Sequence, residues 1–139
     1  MLTIRTVNRL LIAIFLSVVL VTAESFGAEA SHITRTDSGG GVTVKVTYLD
    51  SNVRNEVRFQ VALDTHSVNL DSYDLKTITV LRDDIGTVYL PTGLENKGSG
   101  HHRQVMVTFP KVSTEAKRLE LVIKDIAGVK ERTFRWDLE

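Results

Sequence analysis

The 139-residue chain contains no cysteine, which removes disulfides, thiolate nucleophiles and cysteine-bound metals at once. It has no charge of one sign to spare either, with 17 Lys+Arg against 17 Asp+Glu. Setting aside Arg5, Arg9, Glu24 and Glu29 leaves fifteen of each from Ser31 onward. Such a balance provides no long-range field for nucleic acid or an anionic membrane. Aromatic residues make up only 6%, and the one tryptophan, Trp136, alternates with Phe134 and Leu138 as a core residue would. The exposed aromatic platforms that usually bind glycans are therefore not expected. No internal repeat or low-complexity segment is found, and no hydrophobic run is long enough to span a bilayer. The longest, residues 10–21 ("LLIAIFLSVVLV"), has only Ser17 as a polar member. At 1.5 Å per residue it reaches about 18 Å, short of a roughly 30 Å hydrocarbon core.

What is there begins with export. Arg5 and Arg9 precede that apolar run, and small residues follow it, the three-part plan of a secretory signal. Residues 1–30 are expected to be the signal peptide and cleavage region, with cleavage after Gly27 or Ala30. The mature chain is expected to be periplasmic or secreted, with no stable membrane span once the signal is removed. A compartment that permits disulfides is then met by a domain that has none, so its core alone must hold it. Roughly 105 residues suffice for that.

Residues 31–41, ending "DSGGG", read as a flexible leader. From residue 42 to 139 the pattern is period two. "VTVKVTYL" sets Val42, Val44, Val46 and Tyr48 on one side, and "EVRFQVAL" does the same with Val57, Phe59, Val61 and Leu63. "LKTITVLR" and "TVYLP" read as the third and fourth strands, and "TGLENKGSG" as a loop. "RQVMVTF", "RLELVIKD" and "VKERTFRWDL" complete seven strands, burying Val105, Val107, Phe109, Leu119, Leu121, Ile123, Phe134, Trp136 and Leu138. Short strands with frequent turns and no amphipathic helix predict an all-β, seven-stranded, immunoglobulin-like antiparallel sandwich, with a small β-barrel as the alternative.

The stretches "VALDTHSVNLDSYDL", "GHHR" and "LELVIKDIAGVKERTFRW" resemble a set of small exported prokaryotic immunoglobulin-like domains of uncharacterised function, over nearly all of residues 42–138. The resemblance implies a β-sandwich and brings no activity or ligand with it.

Two polar stretches remain, "LDTHSVNLDSYDL" (63–75) and "GSGHHR" (98–103). Together they hold three of the four histidines. A copper or zinc site would draw on His66, His101, His102 and Asp64, since imidazole suits those metals. Adjacent residues of an extended strand point to opposite faces, so His101 and His102 cannot both chelate there. Parity puts His101 on the inner side with Arg103 and Val105, and His102 on the outer side with Gln104. The acids at 64, 71 and 74 lack the alternate-position carboxylates and central glycine of an EF-hand loop. Asx-turns and capping are their ordinary use. Arg103 is expected to pair with one of them, with Asp71, Asp74 and Tyr73 as further loop contacts and Tyr73 displayed. No G-x-S-x-G elbow is present, and the order of serine, histidine and aspartate fixes no triad, so enzyme activity is not expected. The expected function is a non-enzymatic protein-interaction module in the cell envelope, with a transition-metal binding protein as the alternative. No cofactor is implied beyond that copper or zinc.

Overall fold

In the computed structural model, residues 34–49 and 56–138 are described, and they form two antiparallel sheets. Sheet A has the order β1-β2-β3-β7-β6 and sheet B the order β5-β4-β8-β9. The strands are β1 (Thr34–Gly39), β2 (Val42–Leu49), β3 (Glu56–Thr65), β4 (Thr79–Asp83), β5 (Val88–Tyr89), β6 (Gly93–Ser99), β7 (His102–Pro110), β8 (Arg118–Ile126) and β9 (Val129–Asp137). Hairpins join neighbours within a sheet, and the chain changes sheet after β3, β5 and β7. Without β1, sheet A reads 2-3-7-6 and sheet B 5-4-8-9. That is the strand order of an immunoglobulin-like Greek key. The expected sandwich is present, and among the described residues no backbone ladder joins its sheets into a barrel.

Alternation places the core between the layers. Val44, Val46, Phe59, Val61, Leu63, Val105, Val107 and Phe109 from sheet A are fully buried against Leu81, Leu119, Leu121 and Ile123 from sheet B. Phe59 sits at the centre, with Tyr48, Trp136 and Phe109 ring centroids 5.2, 5.0 and 6.0 Å away. Trp136 is buried, as its parity predicts.

Three sequence expectations need correction. The segment taken as a flexible leader, 31–41, contains β1, which pairs with β2 from Thr34↔Thr47 to Gly39↔Val42. Gly40 and Gly41, both at positive φ, close a two-residue hairpin turn there. The loop expected over "TGLENKGSG" is mostly β6, paired with β7 from Gly93↔Thr108 to Ser99↔His102. The strand expected over "LKTITVLR" begins as a helical turn, α1 (Leu75–Ile78), because Asp74 caps it by accepting from the Lys76 N–H at 3.1 Å. Among the described residues nine strands thus replace the expected seven. The expected signal segment 1–30 with both cleavage points, His32 and residues 50–55 lie outside the described residues.

Candidate functional site

One end of the sandwich gathers four connections: the β1–β2 turn, the segment 66–78, the β6–β7 turn and the β8–β9 turn. Local chemistry shapes the longest of them. Asn69 accepts from the Asp71 N–H at 3.1 Å and starts a 3-10 turn over Leu70–Ser72. Leu70 and Leu75 are fully buried and pin the segment to the core. Thr65 Oγ accepts from the backbone of Ser67 and Val68 and donates to the Gly41 carbonyl at 2.7 Å.

The two polar stretches do meet, mainly through backbone groups. Both carboxylate oxygens of Asp71 accept from the Gly100 N–H at 3.1 Å. Leu70 N–H donates to the Gly100 carbonyl, and Thr65 N–H to that of His101. Arg103 was expected to pair with an acid. Instead it is buried, and its guanidinium donates to the carbonyls of Leu70 (2.9 Å) and Tyr73 (2.6 Å) and to Asn96 Oδ1 (2.8 Å). The strand parity that points Arg103 inward brings it beneath the loop, where unpaired carbonyls outcompete a solvated carboxylate. Tyr73, expected to be displayed, is half-buried against the core, and its hydroxyl accepts from the Ala127 N–H at 3.0 Å. That bond ties the β3–β4 segment to the β8–β9 turn.

The histidines separate. His101 lies in the β6–β7 turn rather than on the inner face, because Gly100 opens that turn at positive φ and ends the alternation. Its Nδ1 lies 3.2 Å from the Val68 carbonyl. His102 projects from the outer face of sheet A, with Nδ1 2.7 Å from Asp64 Oδ1 across the β3–β7 pair. His66 is exposed and makes no hydrogen bond among the described residues. Among the described residues no three His, Cys, Asp or Glu side chains converge on a point that could hold a metal ion.

Two residues escaped the reading by composition and motif. Arg132 is buried on the inner face of β9, where it ion-pairs with Asp37 of β1 and donates to the Gly39 carbonyl at 2.7 Å. Its signal was its place in the 132, 134, 136 alternation. Ser99 stands opposite His102 in the β6–β7 register. Only the register could have revealed it.

No protein-family model matches the chain, and no curated protein matches it. Among the described residues no helix is long and apolar enough to cross a membrane.

Proposed function

We propose that this is an exported domain of the cell envelope that acts by contact with a protein partner, through the end of the sandwich where the four connections cluster. The observation that carries this reading is the way the end is built. Asp71, Tyr73, Arg103 and Thr65 are consumed in holding the connections to one another, while His66, Lys76 and Asp125 remain exposed at its surface. Loops held on a rigid sandwich are a common form of recognition surface, because little ordering entropy is lost on binding. The apolar run at 10–21 supports export. The histidines do not favour the metal reading, since His102 is engaged by Asp64 and His101 by Val68, on different faces.

The test separates surface from brace. His66→Ala with Lys76→Ala should leave the melting temperature unchanged and abolish cross-linking to the partner in an envelope extract. Asp71→Ala with Arg103→Ala should lower the melting temperature. Identical cross-linked species from wild type and the His66/Lys76 variant would remove this end from the interaction.

A further inference from the structure

The outer face of sheet A carries a constellation that the polar end does not use. Strands β3, β7 and β6 are neighbours, and the register sets Asp64 opposite His102 and His102 opposite Ser99. Opposed residues of antiparallel strands project from one face with Cβ atoms about 4.5–5.5 Å apart. A carboxylate, an imidazole and a hydroxyl therefore stand in one row across three strands.

Their order is chemically specific. Asp64 Oδ1 lies 2.7 Å from His102 Nδ1. That contact puts the proton of the neutral ring on Nδ1 and leaves Nε2 as the free base. The two nitrogens occupy opposite flanks of an imidazole. Nδ1 is turned to Asp64 of β3, so Nε2 is the nitrogen left free, and Ser99 of β6 is the residue opposed to His102 on its other side. The Ser99 side chain is exposed and makes no hydrogen bond among the described residues.

A hollow of about 350 Å³ opens beside Asp64 and His102 of this row, and its lining includes Ala62, Lys97, Gly98, Arg103 and Gln104. Small residues at 62 and 98 make the room. Gly98 is fixed by its backbone: φ is +81°, and a Cβ there would lie 2.6 Å from the His102 carbonyl oxygen. Lys97 and Gln104 oppose each other in the next row of the same face, and both carry N–H donors. Lys97 makes no ion pair among the described residues.

We propose that Ser99 is a nucleophile, activated by His102 and oriented through it by Asp64, that accepts the acyl group of short-chain carboxylic esters bound in this hollow. Ser99 Oγ attacks the carbonyl carbon as its proton passes to His102 Nε2. Lys97 and Gln104 face the oxygen that gains negative charge. The bond to the alcohol oxygen breaks, and the imidazolium returns its proton to that oxygen. Water then adds to the acyl-serine with the same imidazole as base, releasing the carboxylic acid and restoring the hydroxyl. This chemistry lies beyond the contact role and on a different surface. It also departs from the expectation of no enzyme activity, because spacings of 64, 99 and 102 carry no elbow motif and only the register brings the three together.

p-Nitrophenyl acetate is a suitable probe. Ser99→Ala should lower nitrophenolate release at least about tenfold, a modest share of what a positioned base contributes, and should abolish acetylation of the peptide that contains Ser99. Asp64→Asn, which favours the wrong tautomer, should lower release in the same direction. All three side chains are exposed, and Trp136 fluorescence reports that each variant is folded. Hydrolysis by folded Ser99→Ala at the wild-type rate, or wild type acting no faster than an equal concentration of free imidazole, would overturn the assignment.

Discussion

Two buried polar residues define what single side chains do here. Arg132 is 2% exposed, and its charge is met by Asp37 and by the Gly39 carbonyl. A buried charge that loses its partner costs far more than one replaced together with its charge. Asp37 is itself 46% exposed, so water can answer part of the loss. Asp37→Ala should therefore cost about 2–3 kcal/mol in urea unfolding, at or below the low end for a broken buried pair. Arg132→Met should cost less, and adding Asp37→Ala to Arg132→Met should change little more. Asp83 tells a different story at the opposite end of the molecule. Burial opposes its ionisation, but the Thr87 N–H, the Tyr89 hydroxyl and the Ile85 N–H all donate to it and hold its pKa below the ordinary 3.8. A carboxyl depressed on folding stabilises the protein fully above its unfolded pKa and loses that contribution as pH falls through the folded one. Stability should thus decline below about pH 4, and Asp83→Asn should flatten that decline while lowering stability at pH 7. An unchanged acid limb in Asp83→Asn would assign the decline to other carboxyls. Asp84, depressed by the Lys117 and Arg118 N–H groups, is the next to test.

Among the elements, turn chemistry and strand parity differ in how much they reveal. Strands β2, β3, β7, β8 and β9 each bury an alternating apolar row, and that row is plain in the sequence. Strands β1 and β6 bury no such row. Each is an edge strand with one partner, held by a backbone ladder that leaves no mark in side-chain polarity. The turns obey a stricter rule. Gly40 sits at φ +60° with a virtual Cβ 2.2 Å from the Ala127 carbonyl oxygen, so a methyl group there collides with the β8–β9 turn. Gly86 has φ +93° but open space around it. Gly86→Ala should cost about 1 kcal/mol, the left-handed penalty alone. Gly40→Ala should cost at least twice that, with faster amide exchange in both turns. Equal losses in thermal unfolding would mean that the β8–β9 turn yields to the methyl group.

At the scale of the whole molecule, the two sheets meet at one lateral seam through side chains rather than a backbone ladder. Arg132 reaches from β9 to β1, and Arg35 Nε donates to the Arg135 carbonyl at 3.2 Å. Strand β1 buries no side chain of its own, yet it supplies the charge that answers Arg132, the only one among the described residues. Deleting residues 1–41 should accordingly lower the denaturation midpoint well beyond the loss from Asp37→Ala, and Arg132→Met in the truncated chain should restore part of it. A truncated chain as stable as the full domain would show that β1 is an appendage. The divergence of the histidines makes a further expectation at this scale. Protein purified without a histidine tag should carry less than stoichiometric copper or zinc, measured by elemental analysis. One equivalent that survives a chelator would require a ligand set other than the pairs seen here.

The polypeptide alone determined the layered β architecture, the inward rows and the core position of Trp136, because burying one face of a pleated strand writes a period of two into the residues themselves. It also marked the polar end by its two odd stretches. Tertiary structure decided everything that depends on which strands are neighbours. That includes the use of Arg103 as a brace, the charge that Arg132 requires, and the row formed by Asp64, His102 and Ser99. Register is a relation between distant segments, fixed when two faces close over a shared core, and no local pattern encodes it.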